Sequence, residues 1–169
     1  MNTPRYIIIH HTGGTDANPF ADTSNQTFEV VNQYHKEKFN FVSSLGYYIG
    51  YHYFIEKNGL VRQGRVNTDE GAHTIGQNKS SIGICLAGNF DLTVPTKEQE
   101  EALKLLLSKL IAQYLIPISA IVPHRKFASK TCYGKRLPDN WAQKLIMNMT
   151  TLQLLVEQLR QLLNKLSKK

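Results

Sequence analysis

A short apolar run near the start of the chain, Tyr6–Ile9, is followed by two adjacent histidines. Its three successive isoleucines put β-branched side chains on both faces of a strand, so both faces need a cover. Strands of this kind lie at the centre of sheets that carry helices on both sides. The run therefore predicts an α/β fold in which His10 and His11 lie at the edge of the sheet, held by rigid backbone.

Apolar spacing and turn residues predict the remaining elements of one domain. In chain order they are a helix over Gln26–Phe39, a hairpin of Tyr51–Ile55 and Leu60–Gln63, a strand over Ile82–Leu86, a helix that ends near Tyr114, and a short strand at Ile121-Val122. Thr96, with Gln99 three residues later, forms a capping-box pattern at the start of the second helix. Strands that alternate with helices, and strand pairs joined by tight turns, predict an α/β single domain with a central mixed β-sheet flanked by helices.

The last part of the sequence has the pattern of a long amphipathic helix, Leu145–Leu166, in which leucine and valine recur at spacings of three and four. We therefore divide the chain into a domain over residues 1–145 and a C-terminal amphipathic helix over residues 146–169. The favoured interpretation is that the leucine stripe packs on the domain. Pairing with a second copy as a weak dimer and contact with an anionic membrane are the alternatives, and membrane contact is the least favoured.

The composition limits the class of protein and the kind of partner. With 41 % hydrophobic and 20 % charged residues, the chain has the composition of a globular domain, which excludes a disordered or collagen-like one. The net charge of +7 favours polyanionic partners such as nucleic acid, anionic lipid or cell-wall polymers, or else belongs to an ordinary basic surface. Because the basic residues are spread along the chain, with neither a recognition helix nor an aromatic-and-basic platform, we expect no nucleic-acid partner.

Two pairs of residues carry metal-binding chemistry. His124 and Cys132 follow Pro123 in one loop and offer an imidazole nitrogen and a thiolate sulfur, both ligands of zinc. Taken alone, this spacing also arises by chance, and a buried free cysteine is the ordinary alternative. Cys85, among apolar residues of a predicted strand, fits that alternative. In the same way, a His-His pair at the end of a strand is by itself most often a pair of ordinary polar residues.

Four sequence blocks occur in order and together span Tyr6–Trp141. They are Tyr6–Gly13 (YIIIHHTG), Gly50–Ile55 (GYHYFI), Gly71–His73 with Ser81–Asn89 (GAH and SIGICLAGN), and Pro123–Cys132, which has a lysine two residues before the cysteine. In this order the blocks resemble those of the N-acetylmuramoyl-L-alanine amidase family, which includes small phage amidase-lysozymes and peptidoglycan recognition proteins. Agreement on all four blocks is hard to obtain by chance.

The resemblance implies a zinc site with three protein ligands and one open position. Matched by motif, the ligands are His10, His124 and Cys132. His11 is the alternative to His10, because bacterial and phage members of the family place the ligand two residues before the threonine and animal members place it immediately before. The Gly13-Gly14 continuation resembles the bacterial pattern and favours His10.

The resemblance also assigns roles around the zinc site. Tyr51 and Lys130 match the two catalytic positions, and His73 and Asn78 match positions that line the substrate groove. In the implied mechanism, zinc lowers the pKa of a bound water molecule and Lys130 stabilises the developing oxyanion. Tyr51 orients the water or hydrogen-bonds the tetrahedral intermediate. Two other histidines are expected to have structural, packing or surface roles, His35 and His52.

The implied function is zinc-dependent hydrolysis of the amide between N-acetylmuramic acid and L-alanine, with peptidoglycan or muropeptides as partners. A non-catalytic peptidoglycan-binding module of the same fold is the alternative. Cys132 and Lys130 favour the enzyme, because family members without the cysteine bind wall fragments but do not cut them. The sequence opens without a secretory-signal pattern and has no apolar stretch of the roughly 20 residues that a membrane span requires. We therefore expect a protein made in the cytoplasm that acts on the cell wall after lysis or export, or on cytoplasmic muropeptides.

One residue departs from the family pattern. The family commonly has Pro-Gly after its ligand cysteine, whereas this chain has Tyr133-Gly134. Because proline restricts the backbone, tyrosine is expected to leave the loop that presents the thiolate freer. Tyr133 itself is expected to be a partly buried loop aromatic, with stacking on a sugar as the alternative.

Overall fold

The computed structural model describes residues 3–147 together with residues 155, 156, 159 and 163. Within these residues the strands are β1 (Tyr6–His11), β2 (Tyr53–Ile55), β3 (Val61–Gln63), β4 (Ser81–Leu86) and β5 (Ile121–Pro123). The helices are α1 (Phe28–Lys38), α2 (Lys97–Tyr114) and α3 (Trp141–Met147), with short 3-10 turns at Ile118–Ala120 and His124–Lys126. The predicted α/β domain, a mixed sheet flanked by helices, is confirmed.

Strand β1 lies inside the sheet, whose order is β3-β2-β4-β1-β5. It pairs in parallel with β4 and β5, β4 pairs in parallel with β2, and the edge strand β3 runs antiparallel to β2. The three isoleucines of β1 are fully buried, which confirms the prediction of a strand covered on both faces. Since parallel strands end at the same edge of a sheet, His10 and His11 at the end of β1 lie beside His124, which directly follows β5.

Helices cover the two faces of the sheet with separate apolar cores. On one face, α2 and α3 pack on a large core that includes Ile7 and Ile9. On the other face, α1 packs on a smaller core that includes Cys85. Because side chains alternate along a strand, His10 points to the α1 face together with Cys85, its register partner on β4. His11 points to the opposite face.

Capping residues fix the starts of helices α1 and α2. Thr27 caps α1 by accepting a hydrogen bond from a main-chain N–H in the first turn, so α1 begins at Phe28 rather than at the predicted Gln26. At the start of α2 the predicted capping box is confirmed, because the side chains of Thr96 and Gln99 each accept a hydrogen bond from the main-chain N–H of the other.

The predicted hairpin forms, with shorter strands than expected. Gly59 lies in the turn with a φ of 82°, a conformation that glycine adopts without steric cost. Strand β2 begins at Tyr53, so Tyr51 and His52 precede it instead of lying within it. This correction matters for the site, because Tyr51 belongs to the connection that enters the sheet and not to the strand ladder.

Helix α3 begins at Trp141, earlier than the helix predicted from Leu145, and packs on the large core through Trp141, Ala142 and Ile146. Further along the chain, four helical residues have exposed side chains: Leu155, Val156, Leu159 and Leu163. The rest of the leucine stripe lies outside the described residues, so the packing of the stripe on the domain, like its alternatives, stays a prediction. The division of the chain at residues 145 and 146 stays a prediction. None of the described helices combines the length and the apolar character that crossing a membrane requires.

Candidate metal centre and catalytic cleft

Three side chains from separate parts of the chain meet at the carboxyl edge of the sheet. His10 lies near the end of β1, His124 directly follows β5, and Cys132 lies in the loop after His124. One ligand atom from each residue lies within 4.8 Å of the other two. The Nδ1 of His10 is 3.7 Å from the Sγ of Cys132, and the ring centroids of His10 and His124 are 4.5 Å apart. Within the part of the chain that the structure describes, this is the cluster that could hold a metal ion.

The side chain of His11 lies on the other face of the sheet, and only its main chain approaches the cluster, with the carbonyl oxygen 4.0 Å from Sγ of Cys132. Its Nδ1 accepts a hydrogen bond of 2.9 Å from the N–H of Phe90, and the two rings pack against each other. Burial lowers the pKa of His11 to about 4, so the ring is neutral at physiological pH. The geometry therefore favours His10 over His11 as the metal ligand, and the ligand assignment itself stays a prediction.

Two further histidines use Nδ1 in the same way as His11. His35 accepts the N–H of Gly50 at 2.9 Å, and His52 accepts the N–H of Gly83 at 3.1 Å. Both are buried, so His35 is a packing residue and not a surface one. Burial also lowers the pKa of each to about 4. A histidine whose Nδ1 accepts a main-chain N–H supports the backbone, whereas the Nδ1 of His10 faces the cluster and is available to a metal.

The donor set fits a zinc ion. Zinc binds imidazole nitrogen and thiolate sulfur, and three protein ligands leave one position open. A tetrahedral ion with bonds of about 2.0 Å to nitrogen and about 2.3 Å to sulfur separates these two ligand atoms by about 3.5 Å, close to the 3.7 Å between Nδ1 of His10 and Sγ of Cys132.

Burial keeps the two imidazoles in the form that binds a metal. It lowers the pKa of His10 well below its usual value and the pKa of His124 to about 4. Both rings are therefore neutral at pH 7, as ligation requires. Burial raises the pKa of Cys132 to about 12, so metal binding there is expected to release the thiol proton.

Tyr133, the residue that departs from the family pattern, anchors the loop that carries Cys132. It is fully buried and packs edge-on against Trp141. Its hydroxyl lies 2.8 Å from the carbonyl oxygens of Pro138 and Asp139, which it reaches as a hydrogen-bond donor. The expectation of a freer loop, and the alternative of a sugar-stacking aromatic, are therefore both wrong, because the packing of the ring restrains the loop.

Arg125 organises the same loop. Apart from its position next to His124, no sequence signal indicates this role. Its main-chain N–H donates to the carbonyl oxygen of Cys132 at 2.7 Å. Its guanidinium group pairs with Asp139 and donates to three main-chain carbonyls, those of Thr131, Gly134 and Leu137. These bonds tie both ends of the ligand loop to one side chain.

Tyr51 and Lys130 both lie beside the cluster. The Tyr51 ring centroid is 5.0 Å from that of His10 and 5.5 Å from that of His35. Burial, together with the neighbouring thiols of Cys85 and Cys132, raises the pKa of Tyr51 well above its usual value, so its hydroxyl stays protonated. The side chain of Lys130 is exposed and lines the same cleft as the three ligands.

The cluster opens into a cleft of about 530 Å³ that is lined by residues from β1, α1 and the ligand loop. A neighbouring pocket of about 300 Å³ shares five of these residues, including Tyr51 and His35, and extends the cleft along α1. At its rim Asp16 accepts hydrogen bonds from Tyr34 and Lys38 and thereby joins the loop after β1 to α1. This link has no signal in the sequence, because it joins two segments that no motif connects.

His73 and Asn78 lie where the cleft meets the loop before β4. The side-chain oxygen of Asn78 accepts the main-chain N–H groups of His73 and Thr74, at 2.9 and 2.8 Å. His73 lines the cleft, and its ring lies edge-to-face with that of His10 at 5.1 Å. Asn78 thus supports the loop that carries His73, and substrate binding by either residue stays a prediction.

A mixed sheet whose carboxyl edge brings two histidines and a cysteine together, in a cleft with a tyrosine and a lysine, defines an α/β protein with a candidate hydrolytic metal centre. The chain belongs to the N-acetylmuramoyl-L-alanine amidase family, whose model matches residues 1–135. The resemblance drawn from the four sequence blocks is therefore confirmed, and the match covers all three candidate ligands.

Proteins similar to this chain include peptidoglycan-recognition proteins and phage endolysins. The chain is 31 % identical over 149 residues to peptidoglycan-recognition protein SD of Drosophila melanogaster, covering 84 % of this chain and 76 % of that protein. It is 33 % identical over 140 residues to the endolysin of Klebsiella phage KP32, covering 79 % of this chain and 83 % of that protein. Among solved structures, the N-acetylmuramoyl-L-alanine amidase LysC from Clostridium intestinale URNW matches with a TM-score of 0.70 and 27 % identity, over 88 % of each chain.

Proposed function

We propose that this protein is a zinc-dependent N-acetylmuramoyl-L-alanine amidase, which hydrolyses the amide between N-acetylmuramic acid and L-alanine in peptidoglycan. The observation that carries the proposal is the convergence of His10, His124 and Cys132, whose ligand atoms lie within 4.8 Å of one another beside Tyr51 and Lys130. Membership of the amidase family and the likeness to an amidase structure support it.

The three ligands are proposed to hold zinc in an open site, and each has the required chemistry. A bound zinc ion supplies Lewis acidity, which lowers the pKa of a water molecule and polarises a carbonyl group. The neutral rings of the buried His10 and the half-buried His124 provide nitrogen lone pairs without first losing a proton. Cys132 provides sulfur and, as a thiolate, one negative charge that partly offsets the charge of the ion.

Tyr51 and Lys130 are proposed to stabilise the charge that develops on the amide carbonyl oxygen. Tyr51, whose ring centroid lies 5.0 Å from that of His10, is placed to act as a hydrogen-bond donor. Lys130, at the exposed rim of the cleft, brings a positive charge toward the same oxygen. Donors that are already positioned where charge develops lower the barrier without further reorganisation.

Peptidoglycan or its soluble fragments are the proposed substrate. The relatives' names refer to peptidoglycan recognition and to lysis, and the matching solved structure is named for the same amide bond. A cleft of about 530 Å³, extended along α1, has room for a sugar and the first residues of a peptide. The net charge of +7 favours approach to an anionic cell wall, where we propose that the protein acts.

A non-catalytic peptidoglycan-binding module is the second candidate, since some relatives are named as recognition proteins. Cys132 distinguishes the two functions in this chain. A binding module has no need of a third metal ligand, whereas a hydrolytic zinc site with an open position uses three.

The test is digestion of purified peptidoglycan, followed by mass spectrometry of the soluble products. The expected result is a stem peptide with a new free L-alanine amine, together with a lactyl carboxylate on the sugar. Cys132→Ser should lose the zinc ion and the activity, while Cys85→Ser, which removes the other thiol, should keep the zinc ion. Zinc-loaded protein that binds peptidoglycan but releases no fragment would instead identify a binding module.

A further inference from the structure

The two nitrogens of His10 face different partners. Nδ1 lies 3.7 Å from Sγ of Cys132 and faces the ligand cluster, whereas Nε2 lies 3.1 Å from Nδ1 of His73. A hydrogen bond between two imidazole nitrogens needs one proton, and the ring that carries this proton is the donor. The tautomer of His73 therefore decides whether His10 offers a lone pair or an N–H to a metal.

The surroundings of the other nitrogen of His73 favour one tautomer. Its Nε2 lies 3.5 Å from Oγ of Ser81, and the Ser81 hydroxyl donates to the carbonyl oxygen of Gln77 at 2.7 Å. A carbonyl only accepts, so the Ser81 proton points to Gln77 and the Ser81 oxygen is left to accept from His73. This arrangement puts the proton of His73 on Nε2 and leaves its Nδ1 as an acceptor for His10.

Thr74 lies beside the same two nitrogens and is compatible with this direction. Its hydroxyl lies 3.0 Å from Nδ1 of His73 and 3.4 Å from Nε2 of His10. With the proton of His10 on Nε2, the Thr74 oxygen is a second acceptor for that N–H, while the lone pair of His73 Nδ1 accepts from His10. If His73 is protonated on Nε2 and His10 on Nδ1, two nitrogen lone pairs face each other across 3.1 Å.

The ring of His73 sits in a slot that the backbone keeps open for it. A Cβ added to Gly83 of β4 would lie 2.5 Å from Cγ of this ring, and one added to Gly71 would lie 2.5 Å from its Cδ2. Real Cβ atoms do not approach other atoms so closely, so both glycines are required by the position of the ring. Asn78 fixes the main chain of His73 from the other side.

We propose that His73 is a positioning residue for the metal centre: it holds His10 in the tautomer that carries its proton on Nε2 and presents a bare Nδ1 to the ion. The inference rests on the proposed zinc site and adds a role that differs from the predicted one in substrate binding. Both ring nitrogens of His73 face groups of the protein, Nδ1 facing His10 and Nε2 facing Ser81. Removal of such a partner of a ligating histidine typically weakens metal binding by about 10- to 100-fold.

The first test compares zinc affinities, measured by competition with a chelator. His73→Leu, which removes the acceptor, is expected to weaken zinc binding by about 10- to 100-fold. In His73→Asn the side-chain oxygen takes the place of Nδ1, and this variant should bind zinc much more tightly than His73→Leu. His35→Asn, which replaces another buried histidine and keeps the acceptor for Gly50, should bind zinc as the parent does.

The outcomes separate this inference from the proposed function. If the parent protein binds no zinc, the proposed function fails. If the parent binds zinc and His73→Leu binds it equally well, the positioning role fails while the zinc site stands. Equal weakening by the asparagine and leucine variants would also count against the role of the acceptor.

A second measurement does not depend on any variant folding correctly. Long-range proton–nitrogen NMR spectra of the metal-free parent report which nitrogen of each histidine carries the proton. The expected result is a proton on Nε2 of both His10 and His73. A His10 ring protonated on Nδ1 would overturn the proposal.

Discussion

The buried histidine His52 is expected to make the folded protein less stable in acid. Its side chain is fully buried, its Nδ1 accepts the N–H of Gly83, and its Nε2 lies 3.2 Å from the carbonyl oxygen of Asp69. Burial lowers its pKa from 6.5 to about 4, an effect that the bond to Asp69 opposes and the charge of Arg65 assists. The ring of His73 also faces it, at 5.7 Å.

The sign and size of the effect follow from the two pKa values of His52. Since its pKa is lower in the folded state, the unfolded chain takes up the proton first, and the stability of the fold is lost as the pH falls from 6.5 toward 4. The full shift corresponds to about 3.4 kcal/mol, and between pH 7 and pH 5 the expected loss is about 2 kcal/mol. His52 should therefore account for a loss of this order in that interval.

The assay is urea unfolding of the parent and of His52→Asn across this pH range, in the presence of a chelator so that metal release does not contribute. Asparagine keeps an acceptor for the Gly83 N–H but does not titrate. Between pH 7 and pH 5 the free energy of unfolding of the variant should therefore fall by about 2 kcal/mol less than that of the parent. Parallel stability curves for the two proteins would contradict this prediction, because they would show that His52 takes up no extra proton on unfolding.

Three further predictions concern the site. Tyr51→Phe should keep its zinc ion and release fragments about 10²- to 10³-fold more slowly, since the substitution removes one donor to the developing oxyanion. A normal rate of fragment release would exclude this role of Tyr51. Gly83→Ala should lower the zinc affinity and should lower the free energy of unfolding by about 1–3 kcal/mol, because its methyl group displaces the His73 ring. Unchanged values in chelator competition and calorimetry would show that the ring does not need the space beside Gly83. Arg125→Met should lower the free energy of unfolding in urea by about 2 kcal/mol or more and weaken zinc binding, since main-chain carbonyls of the ligand loop lose their donor. A variant with the stability and zinc affinity of the parent would show that the loop keeps its conformation without Arg125.

Much of the fold could be predicted because its signals are local. The isoleucines of β1 need a cover on both faces, and Thr96 with Gln99 marks the start of α2 through contacts within one turn. The shorter β2 and the later start of α1 were missed, because they depend on a cap and on pairing with other strands. The boundary of α3 was misplaced for a similar reason: Trp141 joins the helix because it packs on the large core.

The site was predictable as a set of residues, and its internal arrangement was not. Motif order pointed to His10, His124 and Cys132, which the fold brings together. The choice between His10 and His11 depends on which face of β1 carries the cleft, and this is a tertiary property. Neither the burial of Tyr133 nor the contact between His10 and His73 leaves a signal in local spacing, because each joins segments far apart in the chain.

X-ray absorption at the zinc edge reports the atoms that bind the metal. For the purified protein we expect one zinc ion with two imidazole nitrogens at about 2.0 Å, one sulfur at about 2.3 Å and one further light atom. Cys132→Ser should abolish the sulfur contribution. A tightly bound zinc ion without sulfur in its coordination shell, or with the same sulfur contribution after that substitution, would contradict the proposed site.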